Sequence, residues 1–283
     1  MSFLRDTLVL GLIEAAPLVL AAVGFTLIYY LNGFINVAYA ENITLGAYFA
    51  VVFNSMMGMN FYLTIIPAAV LSGGVSVITY LIVFKPALNR GVGRTEMIIL
   101  SVGLSFFIRY ASRLVFGADI LHFDIVSPSY LSVFGTGITS IQITALALVG
   151  VISVGLYYFI YKTNYGEMMR GLANNEDLAM ISGINPTKVS LLIWFIAGTA
   201  GGLAGIFYGV FSFVSYSLGW NLILIIIMIT IVGGIGNVRG ALIASVGAGI
   251  IITAVTLITK PLYAEIALLI FFIGVLKAKK VWG

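Results

Sequence analysis

Charged residues are scarce in this sequence. Only 8% of its 283 residues are charged, whereas a soluble domain typically carries about a quarter. Because 61% of the residues are hydrophobic, a water-soluble fold of this length could not enclose them behind so few polar side chains. A bilayer removes this difficulty, since the outer surface of the protein is then apolar as well. The composition therefore predicts an integral membrane protein.

Cysteine is absent, and so are the motifs of a nucleotide-hydrolysing domain. Without cysteine the chain forms no disulfide and builds neither a zinc-thiolate site nor an iron–sulfur cluster. The sequence also contains no phosphate-loop motif and no soluble stretch long enough to hold an ATPase domain. We therefore expect no catalytic residues and no cofactor on this chain, and any ATP to be hydrolysed by a partner.

Long apolar stretches are what the sequence has instead. A helix needs about 20 apolar residues to cross the hydrocarbon core, and unsatisfied backbone groups exclude loose coil from lipid. The predicted segments are 8–31, 35–57, 62–84, 96–116, 140–161, 188–211, 219–235, 240–259 and 262–277. The predicted fold is all-α, a polytopic transmembrane bundle of eight or nine segments with interrupted helices, in which residues 1–283 form a single domain.

Lysine and arginine residues orient these segments. Most of these basic residues come to the cytoplasmic side, as the positive-inside rule requires, when the cytoplasmic segments are 85–95, 162–187, 236–239 and the C-terminus. The formal charge of +4 is accordingly typical of cytoplasmic loops, and we expect no nucleic-acid partner. Arg109 and Arg113 lie four residues apart near the outer end of a span and are predicted to form an interfacial face or to snorkel outward.

The longest outer stretch is 117–139, which we interpret as a solvated connector; the alternative is a segment that receives a partner. His122 lies there between Asp119 and Asp124. A single histidine without a supporting ligand set does not make a metal site, so none is predicted.

Polar residues interrupt the apolar pattern within the membrane at two places. Residues 32–47 carry Asn36 and Glu41 between two apolar runs, and residues 231–241 carry Asn237 among glycines. Such breaks are tolerated where protein or a water-filled cavity satisfies the backbone, and paired breaks often mark a transport pathway. For the first segment, an interrupted helix at a pathway and a cytoplasmic turn before an ordinary span both remain open.

Glu14 lies inside the first apolar run. A carboxylate near mid-membrane costs at least about 2–3 kcal/mol on insertion scales, so it should face the bundle interior, be protonated or pair with a polar group. A hydrogen bond between helices and a pathway role explain it equally well. Glu14, Asn36, Glu41 and Asn237 are therefore candidates for a pathway or its polar support. In the rival class, a self-contained channel or ion-coupled carrier, Glu14 and Glu41 would be proton or cation sites.

Glycines at four-residue spacing point to close helix packing. Gly198 with Gly202, and Gly201 with Gly205, place small residues on one face of a helix, which lets neighbouring backbones approach in lipid.

The polar segment 162–188 is about two short helices long. Gly183 is placed to cap the preceding helix, and Pro186 to begin the next one. Leu178, Met180 and Ile181 give the segment an apolar side with which a short amphipathic helix docks into a groove of a soluble partner. The alternative is a helical connector that packs only on its own protein.

Three ordered motifs resemble one family over nearly the whole chain. They are Gly24-x-Thr26-Leu27-Ile28-Tyr29 followed by Ile35-Asn36-x-Ala38-x-x-Glu41-x-x-x-Leu45-Gly46-Ala47-Tyr48, then Tyr165-Gly166-x-x-x-Arg170-x-x-Ala173-x-x-x-Asp177-x-Ala179-x-x-x-Gly183-Ile184-Asn185, and finally Gly233-Gly234-Ile235-Gly236-Asn237-x-x-Gly240-Ala241. The motif that begins at Tyr165 resembles the coupling loop of permeases from branched-chain amino acid ABC importers.

This resemblance implies a permease subunit in a prokaryotic cytoplasmic membrane. Its implied partners are membrane lipid, a second permease subunit, two cytosolic ATPase subunits that hold the ATP, and an extracytoplasmic solute-binding protein. The residues implied in ATPase coupling are Gly166, Arg170, Ala173, Glu176, Asp177 and Gly183.

The chain departs from the family pattern at two places. It has Tyr39-Ala40 where the family commonly has His-Gly, and Glu14 where a small or polar residue is usual. The expected solute is a branched-chain or other small amino acid, with urea or a short amide as the alternative.

Overall fold

The computed structural model describes residues 2–125, 130–133 and 135–282, and most of them are helical. The α-helices are α1 (Ser2–Asn32), α2 (Tyr39–Val51), α3 (Phe61–Thr79), α4 (Lys85–Asn89), α5 (Arg94–Phe116), α6 (Ser140–Lys162), α7 (Asn164–Asn174), α8 (Glu176–Ile181), α9 (Pro186–Phe211), α10 (Leu218–Gly233), α11 (Val238–Thr256) and α12 (Pro261–Trp282). Single π-helical turns, Val52–Met56 and Tyr80–Phe84, continue α2 and α3. The predicted all-α polytopic class is confirmed.

Each of the nine predicted segments coincides with a helix. Within the described residues, 7 helices are long and apolar enough to cross a membrane. The remaining two are α10, with 16 residues, and α2, with 13 residues before its π turn. At 1.5 Å per residue, α10 spans only about 24 Å, less than the roughly 30 Å of the hydrocarbon core. These two are the short or interrupted helices that the polar breaks predict.

Helix α9 lies at the centre of the bundle, where it packs against α1, α2 and α3, while α1 also packs against α11. Lipid supplies no hydrophobic force between helices, so close backbone packing holds them together. Gly202 lies against Ser72 of α3, and Gly205 lies against the carbonyl of Ile43 in α2. The predicted packing role of the α9 glycines is confirmed.

The outer stretch is more ordered than the connector that we expected. Strands β1 (Tyr130–Val133) and β2 (Thr136–Thr139) form an antiparallel hairpin, and Leu121 pairs with Val214 in an isolated bridge. Asn54 accepts a hydrogen bond from the backbone N–H of Asp124 at 2.7 Å. The stretch is therefore tied to the outer end of α2, and the sequence pattern did not predict this.

Candidate functional site

The polar segment after α6 folds as two short helices, which we call the α7–α8 element. The Thr163 side chain caps α7 by accepting from the Gly166 N–H at 3.2 Å. A side chain at Gly166 would collide with the carbonyl of Ile160, and Arg170 donates a hydrogen bond to that same carbonyl. Gly166 and Arg170 therefore hold α7 against the inner end of α6.

A capped turn ends the α7–α8 element. Gly183 has φ +84°, a left-handed conformation that glycine adopts without strain. Its N–H donates to the Met180 carbonyl at 2.9 Å, and the Ile184 N–H donates to the Ala179 carbonyl at 3.0 Å. This pair of bonds is the Schellman motif, and the predicted cap is confirmed. Pro186 begins α9, also as predicted.

The face of α8 that points away from the rest of the chain is apolar and exposed. Ile181 is 85% exposed and Leu178 is 63% exposed, whereas Ala179 on the opposite side is buried. Glu176 and Asp177 lie beside them and are also exposed, and Ala173 is half-buried. A connector that packed only on its own protein would bury such large apolar side chains, so the exposed face favours docking onto a soluble partner.

The link between α1 and α2 is buried inside the protein. Asn36 is 2% exposed, and the Val37 N–H next to it donates to Ser101 Oγ at 3.0 Å. Ser101 lies seven residues into α5, about 10 Å from its start. At the start of the link, Trp194 of α9 donates to Asn32 Oδ1 at 3.0 Å. This burial favours an interrupted helix over a cytoplasmic turn that precedes an ordinary span.

Glu41 forms a buried ion pair with Arg109. Its Oε1 atom accepts from Ser105 Oγ at 2.7 Å and from Arg109 Nη2 at 3.3 Å. Glu41 is 1% exposed and Arg109 is 5% exposed, so neither charge reaches water. The guanidinium of Arg109 stacks on Trp220 at 3.7 Å from the ring centroid and lies 5.0 Å from that of Phe106. Both rings therefore lie against the guanidinium of Arg109.

The prediction that Arg109 forms an interfacial face or snorkels outward is therefore wrong. The side chain turns inward because a buried carboxylate offers it a charge partner that the interface does not. Arg113, one helical turn later, is exposed, and its guanidinium lies 4.9 Å from the ring centroid of Tyr216. Only Arg113 matches the expectation.

Further buried polar residues lie on α5 and on α2 with the link before it, a contact region that we call the α2–α5 seam. The seam comprises Asn36, Glu41 and Tyr48 on one side, and Ser101, Ser105, Arg109 and Ser112 on the other. Within the part of the chain that the structure describes, Asn36 Oδ1, Glu41 Oε2 and Tyr48 Oη are buried and have no hydrogen-bond partner. A buried polar group without a partner costs about 1–3 kcal/mol, so three in one seam require an explanation.

Sequence reasoning missed the α5 side of this seam. Residues 101, 105, 109 and 112 recur at helical spacing and lie on the buried face of α5. That spacing was available in the sequence and would have placed Arg109 on a buried polar stripe.

Glu14 lies apart from the α2–α5 seam, in the N-terminal half of α1. Together with Glu265 and Tyr208 it lines a cavity of about 330 Å³ between α1, α9, α10, α11 and α12. The remaining lining residues are mostly apolar. The structure thus brings Glu14 close to a second carboxylate but not to Asn36 or Glu41.

Asn237 caps α11 at the second polar break. Its side chain accepts from the Gly240 N–H at 3.1 Å, and Gly233 and Gly240 meet backbone to backbone. Beside it, Arg239 stacks on Tyr161 at 4.6 Å from the ring centroid. The contacts of Asn237 are therefore those of a helix cap.

Comparison with known proteins gives one family match. The model of the family described as "Branched-chain amino acid transport system / permease component" matches residues 7–276. The matched region includes Glu14, the α2–α5 seam, the α7–α8 element and Asn237.

Several curated proteins are similar to the chain. The probable branched-chain amino acid transport permease protein LivH of Methanocaldococcus jannaschii is 29% identical over 85% of this chain and 77% of its own length. The high-affinity branched-chain amino acid permease LivH of Escherichia coli is 26% identical over 85% of this chain and 82% of its own length. The ribose import permease RbsC of Escherichia coli is 24% identical over 65% of this chain and 55% of its own length. No solved structure matches the chain.

Proposed function

We propose how this chain works, starting from the finding that it belongs to the family of branched-chain amino acid transport system permease components. It is a permease subunit of an ABC importer and a multi-pass protein of a prokaryotic inner membrane. It is a transport subunit and not an enzyme, because its family and its relatives are transport permeases.

The proposed solute is a branched-chain or other small amino acid. Two relatives that cover most of the chain are permeases for branched-chain amino acids, which supports this assignment over urea or a short amide. The test is to purify the native complex with its binding protein and to measure binding of amino acids, urea and amides. Tight binding of urea and of no amino acid would contradict the proposed solute.

Importers of this family act together with ATPase and solute-binding subunits. The finer proposal is that two permease subunits pair, that two cytosolic ATPases bind all of the ATP, and that one extracytoplasmic protein delivers the solute. On this chain, Asn36 and Glu41 are proposed to support the pathway. Glu14 and Asn237 are proposed to contribute less to the pathway. Glu14 lines a separate cavity, and Asn237 caps a helix.

The exposed apolar face of α8 carries the coupling proposal. Ile181 and Leu178 are large, apolar and exposed at the end of a rigidly capped helix, beside the acidic Glu176 and Asp177. An ATPase groove with apolar walls and a basic rim fits this face. Closure of the ATPases would then move α8, and through it α9.

An Ile181→Asp variant tests this proposal. An apolar anchor at the centre of an interface contributes about 2 kcal/mol or more, so we expect solute-stimulated ATP hydrolysis to fall about 30-fold at limiting ATPase. The measurement uses the full complex in vesicles, with Asn174→Asp, an exposed position on the neighbouring helix, as control. Undiminished coupling in Ile181→Asp would contradict the docking proposal. Solute flux through vesicles that contain this chain alone would contradict the ATP-driven mechanism.

The cap at Gly183 gives a second test. Proline fixes φ near −65° and lacks the N–H that Gly183 donates to Met180, so Gly183→Pro is expected to unwind the end of α8. We expect transport-coupled ATP hydrolysis to be abolished while membrane insertion is retained. Gly183→Asn is the matched control, since asparagine tolerates the left-handed conformation and should keep most of the coupling. Equal coupling in the two variants would show that the cap geometry is unimportant.

A further inference from the structure

The cavity between Glu14 and Glu265, which we call the Glu14–Glu265 cavity, holds polar side chains without partners. Its volume is about 330 Å³, and typical small-molecule sites have about 300–1,000 Å³. Besides the two carboxylates, the side chains of Tyr208 and Thr253 bring hydroxyl groups to its wall. Among the described residues, none of these four side chains has a hydrogen-bond or ion-pair partner. The cavity therefore gathers polar groups that the protein itself leaves unsatisfied.

The Thr253 hydroxyl is available to a ligand. Threonines in helices commonly donate to the carbonyl four residues earlier, and Thr256 and Thr259 do so nearby. Thr253 is 8% exposed and lines the cavity, yet within the described parts of the chain its hydroxyl forms no such bond. A buried hydroxyl without a partner is destabilising, so a polar ligand in the cavity would restore what the helix does not supply.

The two carboxylates favour a cation. Glu14 and Glu265 come from α1 and α12, and none of the described residues that line the cavity is basic. Two negative charges in one mostly apolar cavity repel each other, and a positive ligand removes this repulsion. An ammonium group carries one positive charge and three N–H donors, enough for both carboxylates and one hydroxyl. Glu265 is exposed near the start of α12, so the cavity can be entered there.

A smaller, apolar cavity adjoins the first one. Its volume is about 160 Å³, it lies between α10 and α12, and it shares Glu265 and Ile225 with the Glu14–Glu265 cavity. Its walls include the apolar side chains of Leu224, Met228 and Leu269. An inorganic cation would leave this apolar space unfilled. A cation that carries an alkyl chain would fill it and keep its charge beside Glu265.

We propose that the two joined cavities form a binding site for an organic cation with a primary ammonium group and an alkyl chain. The ammonium donates to Glu14 and Glu265, and the alkyl chain packs between α10 and α12. The site lies apart from the α2–α5 seam and from the α7–α8 element. The inference goes beyond the proposed function, because it does not depend on which solute the importer carries.

Binding is tested by thermal unfolding of the full-length protein in phosphatidylcholine nanodiscs, whose lipid offers no primary ammonium. The probes are n-octylammonium and two molecules with the same chain and no positive charge, octanol and octanoate. A ligand that binds only the folded protein raises its unfolding temperature, so we expect octylammonium to do so. Octanol and octanoate should have much smaller effects. No rise with octylammonium, or an equal rise with octanol, would overturn the site.

Variants of the two carboxylates show whether they hold the ammonium. A hydrogen bond to a charged group is a strong one, so Glu14→Gln and Glu265→Gln should each need at least about 10-fold more octylammonium for the half-maximal rise. Glu96→Gln, which removes an exposed carboxylate from α5, is the matched control and should respond as the native protein does. If Glu14→Gln fails to fold, the exposed Glu265 decides the question. A native response in Glu265→Gln would overturn the proposal.

Cysteine labelling locates the ligand, since the native chain has no cysteine. Thr256 and Thr259 are both exposed and both bond to their own helix, but only Thr256 lines the cavity. At three times its dissociation constant, octylammonium leaves about a quarter of the sites free, so labelling of Thr256→Cys should slow about fourfold. Labelling of Thr259→Cys should be unchanged. Equal slowing at both positions would show general partitioning into the membrane and overturn the location.

A second set of nanodiscs identifies the source of the ammonium group. Phosphatidylethanolamine carries a primary ammonium and is added to the phosphatidylcholine. If octylammonium then protects Thr256→Cys less well, a lipid headgroup competes for the site and is its occupant in the membrane. Unchanged protection would assign the site to a free amine. Protection by calcium ions and not by octylammonium would overturn the proposed organic ligand.

Discussion

An Arg109→Leu variant is expected to be less stable than the native protein by about 3–5 kcal/mol, the usual cost of removing one partner of a buried ion pair. Glu41 is 1% exposed, and without Arg109 its carboxylate would keep only the hydrogen bond from Ser105. The charge would then lie unpaired within the membrane. The expected result is a large loss of folded protein, measured by thermal unfolding of the purified permease in lipid nanodiscs.

Two further variants isolate the ion pair as the cause. A Glu41→Leu/Arg109→Leu double variant removes both charges and is expected to regain most of the lost stability, because no charge is left unpaired. Its transport is nevertheless expected to be lost, because Glu41 is proposed to support the pathway. Arg113→Leu, at the exposed arginine one turn along α5, should cost less than about 1 kcal/mol. If Arg109→Leu were as stable as Arg113→Leu, the pair would contribute nothing to the fold.

Local signals in the sequence predicted the helices and their caps. Span length and the absence of charge placed nine helices, and Gly183 and Pro186 marked where α8 ends and α9 begins. These features depend on residues that are near neighbours in the chain. A left-handed glycine or a proline imposes its effect on the backbone wherever the helix lies in the fold.

Partners distant in sequence were not predictable in the same way. Glu41 and Arg109 are 68 residues apart, and both an outward-snorkelling arginine and an inward-facing one fit a position near the end of an apolar run. The serine spacing on α5 favours the inward-facing side chain, but only the packing of α5 on α2 makes Glu41 its partner. The exposure of Ile181 likewise follows from how α7 rests on α6, which the amphipathic pattern alone does not fix.

Helix α9 connects the two candidate sites. It begins directly after the α7–α8 element, where Asn185 caps it by accepting from the Lys188 N–H at 3.1 Å, and it continues for 26 residues to Phe211. Its glycine face meets α2 at Ile43, two residues after Glu41. Because an α-helix moves nearly as a rigid rod, a displacement of α8 would reach the α2–α5 seam through this contact. The close approach of α9 to α2 at this contact should therefore matter both for the stability of the protein and for the coupling of ATP hydrolysis to transport.

A Gly205→Val variant is expected to destabilise the bundle by about 3 kcal/mol, at the upper end of the usual cost of overpacking. A side chain at this position would collide with the Ile43 carbonyl, which belongs to the α2 backbone and cannot rotate away as a side chain does. The helices would have to separate, and the contact that carries motion from α9 to α2 would be lost. We therefore expect coupling to fall even in the fraction of protein that remains folded, as measured by ATP hydrolysed per solute transported.

The matched control for this variant is Gly247→Val in α11, where an added Cβ atom would meet no other described atom within 4 Å. It makes the same chemical change in a membrane helix without a backbone in the way, so it should alter stability by less than about 1 kcal/mol. Equal unfolding temperatures for the two variants would show that the approach of α9 to α2 is not what holds the bundle together. A stable Gly205→Val protein with normal coupling would further show that motion reaches the seam by another path.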